Sequence, residues 1–167
     1  GSAPGSLQII GAAEVPSAGI NRGEVRSIEE TVSTIAHALE QIERVIGVPI
    51  DRAWVGITGH HVLSEKSRGV VSVAKSDGEI SAEDVVRVIE AAKRSAAPLN
   101  YEVLHVLPQS YAVDGQIGIK DPVGMTGMKL EVETHIVHGL SSHIQNISRA
   151  IYRMGIDVDG LISTAIA

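Results

Sequence analysis

Residues 128–138 read MKLEVETHIVH, a stretch in which apolar and polar side chains alternate. The apolar set is Leu130, Val132 and Ile136, and the polar set is Lys129, Glu131, Glu133 and His135. Alternation with a period of two is typical of a β-strand that buries one face. The stretch therefore predicts a half-buried strand and a sheet built around it.

The residues before this stretch predict further strands and one helix. Ala53–Ile57 and Gly69–Val73 are β-branched segments of strand length. A helix is expected between Ser81, which can cap it, and Pro98, which cannot continue it. Tyr101–Leu107 is apolar on both faces, which favours a central strand. From Gly69 onward the order is thus strand, helix, strand, strand, with a glycine-rich connection at 114–125 before the last strand.

Both flanks of this unit carry elements of their own. Leu7–Ala12 is a short apolar run that predicts a buried strand. Ser27 and Glu30 have capping-box spacing, and apolar residues then recur every three or four positions up to a helix end at Gly47. A third helix is expected from about Ser142 to Gly155, and a terminal strand at 161–167.

We predict an α/β fold in which an α+β unit interrupts a second domain. Gly1–Ser6 is small and turn-rich and is interpreted as a cloning remnant. Residues 7–50 and 135–167 would form the two parts of the interrupted domain, and residues 51–134 would form the inserted unit.

Composition excludes several functions. The chain has 167 residues and a net charge of −6, with no cluster of Lys and Arg, so nucleic acid is not an expected partner. Because cysteine is absent, disulfides and thiolate chemistry are excluded. The sequence contains neither a run of about 18 apolar residues nor a secretory signal. A cytoplasmic protein without a membrane segment is expected.

Metal, nucleotide and catalytic sites are not predicted. The histidines at 135, 138 and 143 and the pair at 60–61 lack the spacing of a recognised ligand cluster. Residues 56–59, GITG, follow a strand but lack the lysine of a phosphate loop, so a tight turn is the preferred interpretation. No nucleophile motif of the Gly-x-Ser-x-Gly type is present.

Glu131 and Glu133 lie on the same predicted strand face and have three interpretations. They could act as an acid and base pair, they could form an acidic contact surface, or they could simply keep the face solvated. Nothing in the sequence would raise the pKa of one carboxyl group, which disfavours catalysis. The contact surface and the solvated face both remain open.

Several motifs resemble the FtsA family of bacterial cell-division proteins, over residues 16–167. The most specific are LHVLPQ at 104–109, VDGQ at 113–116, DPVGMTG at 121–127 and LEVETHIV at 130–137. SAGINRG at 17–23 and GITGH at 56–60 look like loop and turn segments of the same family.

The resemblance implies an actin-like core in which a subdomain called 1C, of the SHS2 type, is inserted into subdomain 1A. Residues 51–134 would be subdomain 1C, and residues 7–50 and 135–167 would be parts of 1A. The family binds ATP with magnesium, but the segments that hold the nucleotide are not recognised in this chain. We therefore expect a truncated fragment that binds no cofactor and is not an enzyme.

Family resemblance also implies partners. FtsA proteins link FtsZ filaments to the cytoplasmic face of the inner membrane at the septum and recruit later division proteins such as FtsN. This chain is expected to serve self-association and recruitment, and FtsZ would be reached only through segments missing here. Exposed sheet edges would favour a homodimer or strand exchange. The expected contact surface for a basic peptide consists of Asp114, Gln116, Asp121, Glu131 and Glu133.

The alternative to an FtsA-like function is that of an actin-like, ATP-binding fragment of a PilM-type pilus-assembly protein.

Overall fold

The structure is a computed structural model that describes residues 8–95 and 98–164, and these residues divide into two units. Unit 1 contains the described residues up to Gly59 together with His143–Leu161. Unit 2 contains His60–Ser142 and the described residues from Ile162 onward. Two separate stretches of chain thus build unit 1, and the main part of unit 2 lies between them in sequence.

Unit 1 is organised around the long helix α1, Ile28–Ile46. The Ser27 side chain accepts a hydrogen bond from the Glu30 N–H and so caps the first turn. Gly47 ends the helix in the left-handed conformation, with its N–H donating to the Glu43 carbonyl at 2.8 Å. Both predicted ends of this helix are confirmed.

Short strands complete unit 1. The hairpin of β1 (Ile20–Asn21) and β2 (Glu24–Val25) precedes α1, and β3 (Arg52–Ile57) pairs with β8 (Asp157–Ser163). The Arg52 guanidinium donates to the Asp159 carboxylate across the β3–β8 pair, with Nε 2.8 Å from Oδ1. The helix α3 (Ser141–Tyr152) places Ile144, Ala150 and Ile151 in buried positions.

Two terminal predictions need correction. Residues 8–12 form no strand, so the predicted strand Leu7–Ala12 is wrong, while Leu7 itself lies outside the described residues. Gly11 instead lies against Ile42 and Ile46 of α1, because an apolar run can bury itself on a helix without a ladder of hydrogen bonds. The terminal strand β8 begins at Asp157, earlier than the predicted Leu161, and residues 165–167 lie outside the described part.

Unit 2 is a four-stranded antiparallel sheet with one helix. Its elements are β4 (Val62–Ser72), α2 (Ala82–Ser95), β5 (Tyr101–Val113), β6 (Gln116–Ile119) and β7 (Lys129–Leu140). The spatial order is β4-β7-β5-β6, and all three strand pairs are antiparallel. The predicted order of strand, helix, strand, strand is found in β4, α2, β5 and β7, and β6 is an additional strand.

The helix α2 packs on one face of this sheet and closes an aliphatic core. The core consists of Ile80, Val88, Ala92, Val113, Leu130 and Val132, each at most 5% exposed. Gly69 of β4 allows the close approach, because a Cβ at this position would lie 2.1 Å from the Val88 carbonyl oxygen. The sheet and the helix backbone are therefore in direct contact.

A capping box sets the start of α2. The Asp84 carboxylate accepts from the Ser81 N–H at 2.9 Å, and the Asp84 N–H donates back to the Ser81 hydroxyl. The same carboxylate accepts from the Ala74 N–H at 3.1 Å and from the Arg87 guanidinium. These hydrogen bonds, with those from Ser81 the largest cause, hold the pKa of the buried Asp84 far below its usual range.

Unit 2 departs from the sequence predictions in strand length and in one strand. β4 and β5 are longer than predicted, and β6 lies inside the stretch that was expected to be a connection. Asp114 and Gly115, both with positive φ, form the two-residue turn between β5 and β6. β5 also carries a bulge next to Pro108, which has no N–H to offer the ladder.

A candidate protein-contact surface on unit 2

One face of the unit 2 sheet turns away from α2, and we call it the open face. Because side chains alternate along a strand, the burial of Leu130 and Val132 against α2 directs Glu131 and Glu133 to the open face. Arg68 of β4 pairs in register with Glu133 and therefore shares that face. A shallow groove crosses it, lined in part by Arg68, Ser110, Tyr111, Ile117, Glu131 and Glu133.

Glu131 lies at the bottom of this groove and is only 4% exposed. The Lys129 ammonium lies 2.6 Å from its Oε1, and the Arg68 guanidinium reaches diagonally across from β4 to its Oε2. A buried carboxylate is tolerated when cations and hydrogen bonds compensate for its lost hydration. Of the two interpretations left open, the solvated face does not hold for Glu131, because β7 lies in the interior of the sheet and Arg68 covers the carboxylate.

Glu133 has a different environment on the same face. It is exposed, and it lies between Arg68 on β4 and Ser110 on β5, its partners in register. The carboxylate of Glu133 is therefore accessible from solution, whereas that of Glu131 is occupied. The two glutamates line one groove but offer different chemistry.

Asp114, at the hairpin turn, is engaged with the backbone. Its carboxylate accepts hydrogen bonds from the Met128 N–H at 3.0 Å and the Lys129 N–H at 2.8 Å. These two bonds lower the pKa of Asp114. The side chain thus fixes the hairpin to the start of β7. Gln116 follows as the first residue of β6 and is exposed.

Asp121 lies just after β6 and is also exposed. Its carboxylate accepts from the Val123 N–H at 3.1 Å, a turn-forming contact. Burial, and secondly the negative charge of Asp121, raise the pKa of the Tyr111 phenol, which packs against the core on the α2 side of the sheet. The charge of Asp121 therefore acts on that side of the sheet and not on the groove.

Of the five predicted contact residues, the structure brings Glu131 and Glu133 together in the groove. Asp114, Gln116 and Asp121 lie near the two ends of β6 and do not line the groove. Sequence reasoning missed Arg68 and Ile117, which is 82% exposed. The pairing of β4 with β7, which no local sequence signal specifies, is what places Arg68 there.

Comparisons with known proteins agree with this architecture. The family model described as the SHS2 domain inserted in FtsA matches residues 59–138. Within residues 8–95 and 98–164, none of the helices combines the length and the apolar character needed to cross a membrane.

Similar proteins cover almost the whole chain. The cell division protein FtsA of Pseudomonas aeruginosa is 37% identical over 99% of this chain and 39% of its own length. FtsA of Bacillus subtilis is 39% identical over 92% of the chain and 35% of its length, and FtsA of Escherichia coli K12 is 34% identical over 98% and 38%. The chain thus spans less than two fifths of the relatives it matches.

A solved structure resembles the fold. A chain of a PilM-PilN type IV pilus biogenesis complex superposes with a TM-score of 0.54 over 90% of this chain and 38% of that chain, at 12% identity. At this identity the similarity shows the fold alone. Together with the family match, it confirms the predicted fold class.

Proposed function

Since the chain belongs to the FtsA family of cell-division proteins, we propose that it serves this family as a module for protein recruitment and self-assembly. In this proposal the parent protein links FtsZ filaments to the membrane at the septum and recruits later division proteins. Unit 2 would supply the recruitment surface, and its partner would be a basic segment such as the cytoplasmic tail of FtsN.

The observation that carries the proposal is the groove on the open face. Glu133 lines it with an exposed carboxylate, and Asp121 provides a second exposed acidic side chain just after β6. The net charge of −6 adds a long-range attraction for a basic peptide. Glu131, the carboxylate below the groove, is already neutralised by Arg68 and Lys129. Glu133 is therefore the carboxylate in the groove that remains available to a basic peptide.

The direct test is binding of a labelled peptide of the FtsN cytoplasmic tail to the full chain. Glu133→Lys should weaken binding about tenfold, since it reverses the accessible charge in the groove. Glu83→Lys is the matched control, because Glu83 is also exposed but lies on α2. Equal losses in the two variants would leave only a general charge effect and would contradict the proposal.

The flanking residues can be tested separately. Gln116→Ala and Asp121→Ala remove side chains at the two ends of β6, and we expect each to weaken binding about threefold or less. Asp114 is a poor choice for this purpose because its substitution would also release the Met128 and Lys129 amides. If the double variant binds the peptide as the parent does, the contact surface is limited to the groove.

We further propose that the chain neither binds ATP nor catalyses a reaction by itself, and that the ATP and magnesium of the family are held by other segments. The proposal is supported by the sequence, which contains no phosphate-loop motif of the Gly-x-x-x-x-Gly-Lys-[Ser/Thr] type. Calorimetric titration with Mg-ATP should give no binding heat. Saturable binding at micromolar concentration would overturn it.

Self-association is the second part of the proposed role. The β3–β8 sheet of unit 1 has only two strands, and among the described residues no third strand adds to either outer edge. Such edges favour pairing with a second copy or strand exchange. Light scattering should show a mass that rises with concentration, and a constant monomer mass would contradict this part of the proposal.

A further inference from the structure

β4 is a long edge strand whose outer side is open except at its end, where the Arg87 guanidinium donates to the Ser72 carbonyl at 2.9 Å. It pairs with β7 through eleven residues, Val62–Ser72, without a bulge. In the described part of the chain, no strand of the sheet lies on its other side. Proteins usually shorten, bulge or cover such an edge because it offers unpaired N–H and C=O groups to another strand.

The residues that present these free backbone groups can be identified. The Val73 N–H donates to the Met128 carbonyl at 2.9 Å, which makes the odd-numbered residues of β4 the ones bonded to β7. The regular register preserves this alternation along the strand. The even-numbered residues Ser64, Lys66, Arg68 and Val70 therefore direct their N–H and C=O groups outward, and all four are exposed.

Charge on the open face selects what could pair there. Lys66 and Arg68 are two residues apart, so both side chains point to the open face beside the edge. The Arg68 side chain is 63% exposed although it contacts Glu131, so its guanidinium can also donate hydrogen bonds to a second carboxylate. Glu65, the acidic residue of this strand, points to the other face, where its Oε1 lies 2.9 Å from Nε2 of His138.

A second copy of the chain is disfavoured in the registers that pair the basic part of this edge with itself. In an antiparallel pair about a two-fold axis, the registers centred on Lys66, Ser67 or Arg68 each place one of these cations opposite a cation of the other copy. Like charges directly opposite each other destabilise a pair of strands. A partner strand with acidic side chains at alternate positions would instead place a carboxylate opposite each cation, which is favourable.

From this geometry we infer that β4 receives an extended acidic segment of another protein as a fifth strand. Carboxylates two residues apart on that segment lie opposite Lys66 and Arg68, and its backbone bonds to the outward groups of β4. Apolar side chains on the other face of the segment extend past the carboxylates to contact Leu63, which is 42% exposed on the α2 side. The site shares Arg68 with the groove of the proposed recruitment surface, and Lys66, which does not line that groove, distinguishes the two.

The test uses the full chain and the labelled octapeptide Thr-Val-Glu-Val-Glu-Val-Thr-Val, followed by fluorescence anisotropy. We expect binding at least tenfold tighter than that of the same peptide with lysine at both glutamate positions. Lys66→Glu should weaken the acidic peptide about tenfold and strengthen the lysine peptide. Lys120→Glu is the matched control, because Lys120 is exposed but lies after β6, and it should leave both affinities unchanged.

Strand addition is separated from simple charge attraction by backbone methylation. The acidic peptide with N-methyl groups on both glutamates keeps its charge but cannot donate to β4, so its binding should be lost. Equal binding of the methylated and unmethylated peptides would overturn the inference. So would sedimentation data showing a dimer of the parent chain that Lys66→Glu alters, since the edge would then belong to a second copy.

Discussion

The two faces of the unit 2 sheet differ sharply although they are built from the same strands. On the covered face, Leu130 and Val132 are at most 1% exposed and pack under α2. Their immediate neighbours Glu131 and Glu133 lie on the open face, in a groove shared with Arg68. The comparison indicates that the packing that stabilises unit 2 lies on the covered face. The open face is therefore free to carry charged side chains that suit a partner.

Truncation of a core side chain on the covered face should have the largest effect on stability and tests this division directly. Leu130→Ala should lower the free energy of unfolding by about 3 kcal/mol, because it removes apolar contacts and leaves a cavity under α2. Val70→Ala on the open face, where Val70 is half exposed, should change it by less than about 0.5 kcal/mol. Urea unfolding followed by circular dichroism measures both, and equal losses would contradict the division.

The contact between Gly69 and α2 gives a second test. Gly69→Ala should cost about 2 kcal/mol, since the new Cβ would overlap the Val88 carbonyl and lie 2.8 Å from the Ala92 nitrogen, and backbone must move to admit it. Ser64→Ala, on the same strand but facing away from the helix, is the control and should be nearly neutral. A neutral Gly69→Ala would show that α2 can shift without loss.

Sequence patterns predicted the helices, the order of elements in unit 2 and the side to which each residue of β7 points. They did not predict how deeply each side chain is buried. Glu131 and Glu133 are indistinguishable by alternation, but Arg68 covers only the first, and the pairing of two distant strands decides this. The role of Gly69 was missed for the same reason, because its contact comes from the helix. The strand β6 was also missed, because the glycines around it are typical of a connection. It is held in the sheet by its hairpin turn with β5 and not by the strand propensity of its own residues.

Asp84 offers a test by pH. Because its pKa is lower in the folded chain than the usual 3.8, its stabilisation is complete above about pH 5 and is lost as pH falls below about 4. Asp84→Asn should cost about 1.5 kcal/mol at neutral pH, since hydrogen bonds to a charged acceptor are lost. The difference from the parent should shrink between pH 5 and pH 2 in urea unfolding. A difference constant with pH would assign the loss to packing alone.

The smallest effects distinguish the two glutamates on the open face itself. Glu131→Gln should cost about 1 kcal/mol, because it leaves Arg68 and Lys129 without the buried carboxylate that they share. Glu133→Gln should cost less than about 0.5 kcal/mol, since an exposed carboxylate gains little from its neighbours. High salt should reduce the effect of Glu133→Gln further and leave that of Glu131→Gln almost unchanged, because buried pairs are screened less. If both variants lose the same free energy at both salt concentrations, the groove has no buried ion pair, and the distinction between a structural and an accessible glutamate fails.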